Sequence, residues 1–428
     1  MREELRQHVR HNFTVNVTDA GFYGLGLSFA SFGTIMPLFV STLTDSTFLI
    51  GLIAAIHSIG WYFPQLLTAK SVAGLSRFRP TVLGLTLHER LPYFVLALVA
   101  WLAVGVFSRE LALILTFVIV IWQALGAGFT ATAWQSMIAK IIPDKMRGRF
   151  YGTQSSIANL TGVGGAVLAG IILQTLPSPL DFTLCFLICG VAMMISFGFL
   201  ATTREPAIEP PKESRLSWGE FIRKLRLILR QNPNFRWFIV ARMIGQVATV
   251  GAAFYTIHSQ RQFGLEEATL GFMAGVMGLA ITLATPLFGW FGDRTSHRLA
   301  FALGMCLAGS SAFIALIAPS GGWFYLVFAL LGMANGALWA TPMALTVEFS
   351  PESERPYYIG LASTAVAPVA LLVPVVGGLL ADSVGISWTF LLAIVGALLA
   401  AVVLLFLVRD PNHIKNVIQP TYASQAMD

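Results

Sequence analysis

The chain has 428 residues, of which 56% are hydrophobic and only 11% charged, and a net charge of +6. Soluble domains carry roughly 25% charged residues, so water is excluded as the solvent for most of this polypeptide. The excess positive charge is scattered in short segments between apolar runs, which excludes a nucleic-acid-binding face and leaves a lipid bilayer and a small molecule as the expected partners.

Arg2, Arg6 and Arg10 precede the first apolar run with no small-residue cleavage site after a short core, so this segment reads as a cytosolic leader. Continuous runs of about 20 apolar residues, enough to cross a bilayer, then follow one another, and their continuity indicates helices rather than a barrel. Spans are predicted at Ala20–Thr42, Phe48–Leu67, Thr81–Phe107, Leu111–Ala133, Phe150–Leu173 and Leu180–Ala201. A second set is predicted at Trp237–His258, Leu270–Phe291, Leu299–Ala318, Trp323–Val347, Tyr357–Leu380 and Trp388–Val408. Cys185, Cys189 and Cys306 fall inside these runs, where cysteine acts as a small hydrophobe. The even-numbered loops and the termini hold 23 of the 27 Lys and Arg residues. Both termini are therefore expected in the cytoplasm of a multi-pass protein of a plasma membrane or bacterial inner membrane. The sequons at Asn12, Asn16 and Asn159 then have no glycosylation role.

The longest polar interruption, from Thr203 to Arg236, contains Pro206, Pro210 and Pro211 and divides the chain into residues 1–202, a linker 203–236, and residues 237–428. Ser217 and Glu220 form a capping-box pattern that opens a linker helix from Trp218 to about Arg230. Trp218, Phe221, Ile222, Leu225 and Ile228 share one face and Arg223, Lys224, Arg226 and Arg230 point away. That pattern suits a helix on the anionic inner leaflet, or a solvated linker.

The two halves repeat. Gly128/Gly336, Pro143/Pro351, Arg147/Arg355, Gly152/Gly360 and Ser155/Ser363 share one offset of 208, and Asn12-Phe13 and Asn234-Phe235 open the halves. This arrangement resembles the major facilitator superfamily, which implies an all-α polytopic membrane fold of 12 transmembrane helices in two pseudo-symmetric six-helix halves. The sharpest resemblance is Gly289-Trp290-Phe291-Gly292-Asp293-Arg294-Thr295-Ser296-His297-Arg298, similar to the superfamily's cytoplasmic loop signature, with Ser296 and His297 in place of a glycine and a basic residue. The resemblance implies a cytoplasmic gate formed by Gly289, Asp293, Arg294, Arg298, Arg147 and Arg355, with Asp293 capping the start of the eleventh span. The plainer reading is a basic topology-setting turn. The matching turn Gly74–Pro80 keeps its basic residues but has no carboxylate, which argues against a symmetric pair of latches. Gln123-Ala124-Leu125-Gly126-Ala127-Gly128 is similar to a signature of proton-coupled members, with Trp122 where that signature has arginine. Gly162, Gly164, Gly165 and Gly170 resemble the antiporter signature without its Gly-Pro step.

Ionisable residues within spans are functional candidates by default. His88, Glu89 and Arg90 lie either a third of the way into the third span or at its surface, depending on where that span starts. Asp19, Glu89, Arg90 and Arg242 are the proton-coupling candidates, with Glu89 the best carrier. Asp19 and Arg242 either pair across the halves or snorkel separately. His57 reads as a packing residue. The resemblance places the first, fourth, seventh and tenth spans around the substrate cavity. Those spans offer Phe22, Tyr23, Phe29, Phe32, Gln123, Trp134, Gln246, Phe254, Tyr255, Met333, Asn335 and Trp339. Aromatic and amide groups of this kind suit a hydrophobic or amphipathic solute.

No phosphate-binding G-x-x-x-x-G-K-[ST] motif occurs, so transport energy must come from a gradient. The seven histidines do not cluster in the sequence, so neither a metal site, a cofactor nor an enzyme is expected. The expected function is secondary active transport by alternating access, as a monomeric proton-coupled exporter. The alternatives are an uptake permease, an uncoupled facilitator or a non-transporting sensor.

Overall fold

A computed structural model describes residues 2–207 and 217–411, so Pro210, Pro211 and the tail beyond residue 411 lie outside the described residues. The described chain is helical, with no strand. The first part contains α1 (Arg2–Phe29), α2 (Ile35–Leu43), α3 (Thr47–Tyr62), α4 (Gln65–Ala73), α5 (Arg79–Arg90), α6 (Pro92–Leu102), α7 (Arg109–Ile141), α8 (Arg147–Thr175) and α9 (Leu180–Ala201). The linker helix is α10 (Trp218–Gln231). The second part contains α11 (Pro233–Val247), α12 (Tyr255–Phe263), α13 (Glu267–Arg294), α14 (His297–Ile317), α15 (Phe324–Phe349), α16 (Arg355–Thr364), α17 (Ala367–Ser383) and α18 (Ile386–Val402).

Eleven helical stretches among the described residues are long and apolar enough to cross a membrane. The remaining span is α1 with α2. Expected from Ala20, its helix already begins at Arg2, so the charged leader and the apolar run share one helix that breaks at residues 30–34. Pro64, Pro92 and Pro368 sit at or just past the interruptions of the second, third and eleventh spans, where a proline cannot donate to the helix ladder. Large apolar side chains such as Leu98, Ile114, Leu160, Phe272 and Leu398 remain more than half exposed on the outer surface, as lipid contact permits.

The chain forms two compact units. One comprises Met1–Pro143, Gln154–Arg215 and Ile359–Ala367; the other comprises Asp144–Thr153, Leu216–Tyr358 and Pro368–Asp428. In the first, Phe29, Phe39, Tyr93, Phe182 and Phe186 anchor the apolar core. In the second, Tyr255, Phe324, Phe328 and Phe390 do the same.

The paired openings Asn12-Phe13 and Asn234-Phe235 have a shared structural cause. The Asn12 amide donates to the Arg204 carbonyl and accepts from the Arg204 N–H, both at 2.9 Å. Asn234 does the same with Arg409, at 2.7 and 2.6 Å. Each asparagine thus satisfies the backbone just beyond the last helix of its own unit, ends that would otherwise leave polar groups unpaired.

Gly126 and Gly128 of the fourth span hold α7 against two neighbours. A Cβ at Gly126 would strike the backbone of His88 and Glu89 on α5, and one at Gly128 would strike the Gly60 carbonyl on α3.

The linker helix carries the expected capping box, with Ser217 N–H donating to Glu220 at 2.7 Å and Glu220 N–H donating to Ser217 at 3.2 Å. Its apolar residues do not form the single face expected. Phe221, Leu225 and Ile228 pack inward, whereas Trp218 and Ile222 are exposed. Lys224, expected to point away, pairs with Glu354 at 3.3 Å.

Candidate functional site

Because α5 begins at Arg79, Glu89 lies ten residues into the third span, about 15 Å along the helix at 1.5 Å per residue. Glu89 and Arg90 are buried within the protein, while His88 turns outward and accepts the Trp122 indole N–H at 3.2 Å. Three elements of the first unit converge there. From α1, Asp19 accepts the Ser196 hydroxyl at 2.5 Å and lies 3.4 Å from Arg90 Nη2; Tyr23, one turn on, donates to Glu89 Oε1 at 2.6 Å. From α5, Arg90 Nη1 is 3.6 Å from Glu89 Oε2, and Thr86 donates to that same oxygen at 3.3 Å. From α9, Ser196 Oγ and the Met193 carbonyl each accept from Arg90 at 3.1 Å.

Two carboxylates thus share one guanidinium. With both ionised the cluster carries one surplus negative charge, and a single proton neutralises it. A buried charge is tolerated only when paired and hydrogen-bonded, and each of the three charges here has such partners. Asp19 pairs with Arg90, a partner within its own unit. Arg242 lies with its guanidinium 5.8 Å from the Phe238 ring centre. The sequence located Glu89 and Arg90 as charges in the third apolar run and Asp19 as one at the start of the first. It carried no signal for Ser196 or the Met193 carbonyl, whose relevance depends on how α9 packs.

The Gly289–Arg298 turn forms a second polar constellation, in the second unit. Asp293 Oδ1 accepts from Gly148 N–H at 2.7 Å and Oδ2 from Arg149 N–H at 2.6 Å. The carboxylate therefore caps the start of α8, the fifth span, and not the eleventh as expected. The approach depends on glycine, since a Cβ at either Gly148 or Gly289 would strike the backbone of the other. His297 is buried beside Gly148 and Gly292, with Nδ1 2.6 Å from Glu348 and Nε2 3.4 Å from Asp293. His297, one of the two residues that depart from the signature, is thus the hub of this site. The basic residues act elsewhere. Arg294 stacks over the Trp290 ring at 4.5 Å, and Arg298 donates to the Val408 carbonyl at 2.7 Å, at the end of the twelfth span. Arg147 pairs with Asp144 at 2.7 Å, and Arg355 is buried at the start of α16.

The carboxylate missing from the first-half turn is supplied from a distance. Glu205, beyond the sixth span, accepts from Phe78 N–H at 2.9 Å, from Arg79 N–H at 2.7 Å and from Lys140 at 2.7 Å. These contacts cap α5 and tie the third, fourth and sixth spans together. A further contact involves the break at Phe63-Pro64. Thr364 of the eleventh span accepts from Leu66 N–H at 3.2 Å and donates to the Tyr62 carbonyl at 3.3 Å, satisfying groups the break releases.

Residues 24–260 and 247–421 match the Major Facilitator Superfamily. The chain belongs to that superfamily. A multidrug resistance protein, MdtG, of Escherichia coli K12 is 31% identical over 143 residues, 33% of this chain and 34% of that protein. YuxJ of Bacillus subtilis, an uncharacterized transporter of the superfamily, is 25% identical over 150 residues, 35% of this chain and 38% of that protein. These matches cover little more than a third of the relatives' own lengths. Among solved structures, the outward-facing form of a bacterial homologue of the iron transporter ferroportin has a TM-score of 0.73 at 16% identity, over 92% of this chain and 98% of that one. The fucose:proton symporter FucP of Escherichia coli, solved as a single-residue variant, has a TM-score of 0.74 at 14% identity and the same coverage. At these identities the structures establish the fold.

The residues the superfamily resemblance assigned to a cavity are placed unevenly. Phe22 stacks on Phe199 at 5.6 Å, and Phe32 stacks on His57 at 3.9 Å, whose Nδ1 is 3.4 Å from Gln123. Phe29 and Tyr255 are fully packed in the cores of their own units. Trp134, Gln246, Phe254 and Asn335 are half-buried, and Met333 and Trp339 are exposed. Among the described residues no group of three or more His, Cys, Asp or Glu is arranged to hold a metal ion.

Proposed function

We propose that this superfamily transporter exports a small hydrophobic or amphipathic molecule in exchange for protons, by alternating access. The observation that carries the reading is the buried Asp19–Arg90–Glu89 cluster, whose surplus negative charge one proton removes. Protonating Glu89 would weaken its contact with Arg90 and change the role of the Tyr23 hydroxyl, so proton binding alters how α5 and α1 are held. The cavity assignment supports an apolar or cationic solute, because its groups are aromatic and amide with no fixed charge. Export is favoured by the stretch similar to MdtG, a multidrug resistance protein. Asp293 serves as the cytoplasmic latch, holding the start of the fifth span in one state of the cycle.

A ligand-stabilisation screen on the purified protein identifies the solute, since a binder of the native state raises Tm. Proteoliposomes then test the coupling. Transport of that solute should follow an imposed pH gradient, and Glu89→Gln should remove the response while leaving solute binding. Transport indifferent to the gradient in the parent would overturn the coupling. The fold likeness to a fucose:proton symporter keeps uptake as the second reading, and the sign of the pH response decides between them. Absence of solute counterflow would leave a sensor on the same fold.

A further inference from the structure

The linker helix α10 presents a surface that neither the charge cluster nor the latch uses. Its inward side is occupied. Phe221 packs 5.8 Å from Tyr357, Lys224 pairs with Glu354 at 3.3 Å, and the Lys224 ammonium lies 5.1 Å from the centre of the Tyr357 ring. These contacts fasten α10 to the start of the eleventh span. The outward side is exposed. Residues four apart form a ridge on a helix, and the ridge here reads Trp218, Ile222, Arg226, Arg230, all exposed, with exposed Arg223 and Leu227 alongside. The only carboxylate of α10, Glu220, is engaged in the capping box, so α10 itself carries no further acidic side chain beside its three arginines.

Position gives this composition its meaning. The seventh span begins at Pro233, directly after α10, and the eleventh begins at Arg355, beside Glu354. A helix fixed to two span entrances lies at headgroup depth. There tryptophan and branched apolar side chains enter the acyl boundary and arginines meet lipid phosphates. The charge count places this end on the cytoplasmic side, where the leaflet is anionic.

We propose that the outward ridge of α10 binds anionic phospholipid headgroups, and that Lys224, Glu354 and Tyr357 pass this engagement to the start of the eleventh span. Lipid occupancy then stabilises α16, independently of which solute is carried.

The test uses the full-length protein in nanodiscs of phosphatidylcholine, with and without phosphatidylglycerol, each lipid in turn brominated. Trp218 emission is isolated by subtracting Trp218→Phe. Brominated phosphatidylglycerol should quench Trp218 more than brominated phosphatidylcholine does at equal content, and salt should reduce the difference. Replacing Arg223, Arg226 and Arg230 by Gln should remove the preference, by about fivefold per arginine. Equal quenching by the two lipids in the parent, or a preference that survives the triple replacement, overturns the binding surface. Hydrogen exchange across Arg355–Thr364 should slow when phosphatidylglycerol is added. Lys224→Met should keep the lipid preference of Trp218 and lose that slowing. Slowing that persists in Lys224→Met overturns the coupling through Lys224.

Discussion

Asp293→Asn tests the cap on α8 directly. The carboxylate accepts two backbone N–H groups at 2.7 and 2.6 Å, both in the first turn of that helix. Hydrogen bonds to a charged group contribute about 1.5–3 kcal/mol each. A negative charge at a helix N-terminus adds about 0.3–2 kcal/mol. Asparagine keeps one acceptor, loses the charge, and turns an N–H toward the second amide. The expected loss is therefore about 2–4 kcal/mol, or about 30- to 1,000-fold in the equilibrium between capped and uncapped first turn. Amide hydrogen exchange at Gly148 and Arg149 reads this opening without any transported solute, and should accelerate within that range. His297 sharpens the expectation, because it is left between Glu348 and a neutral side chain. Unchanged exchange at those two amides, with a Tm like the parent's, would refute the cap.

Two further substitutions separate the other fastenings. Thr364→Val is isosteric but strips the hydroxyl from Leu66 N–H and the Tyr62 carbonyl; leaving such groups unpaired costs about 1–3 kcal/mol. Exchange at Leu66 should rise and Thr364→Ser should restore it, whereas equal exchange in both variants would assign Thr364 to packing alone. Glu205→Gln leaves Lys140 without its carboxylate in a buried pair, a change worth about 3–5 kcal/mol. Tm should fall while exchange at Gly148 stays at the parental rate, and acceleration at Gly148 would contradict a brace confined to the third, fourth and sixth spans.

How much of this was legible depended on whether the physics was local. Apolar runs and the capping box of α10 are set by neighbours in sequence, and each predicted span has its helix, although α1 starts 18 residues early and α7 runs eight residues past its predicted end. Charges in or at the edge of apolar runs mark Asp19, Glu89 and Arg90 for the same reason, since few side chains are so costly to bury. Partners set by packing were not legible. Asp293 was assigned to the eleventh span although it caps the fifth, because a carboxylate does not announce which helix start is near. The Gly74–Pro80 turn read as degenerate, yet Glu205 completes it from 125 residues further on, counting from Pro80. The Asn12 and Asn234 pairs were visible as a repeat before their purpose was.

One helix touches both polar constellations. The first turn of α8 is capped by Asp293, and further along α8 meets α1 on either side of Asp19 and Tyr23. There Gln154 donates to the Asn16 carbonyl at 3.3 Å, Thr161 donates to the Gly21 carbonyl at 2.7 Å, and Gly24 lies so close to Ala158 that no Cβ fits. These contacts bracket Asp19 and Tyr23, the two α1 groups that hold Arg90 and Glu89. On the proposed reading, neutralising Glu89 would act on α1, which packs against α8. Spatial continuity alone is no proof of coupling, but a double-mutant cycle supplies it. Glu89→Gln, Asp293→Asn and their combination should show a non-additive change in Gly148 exchange of about 0.5–3 kcal/mol. Additivity to within about 0.3–0.5 kcal/mol would mean that Glu89 and Asp293 act independently. Coupling would then have to run outside α8.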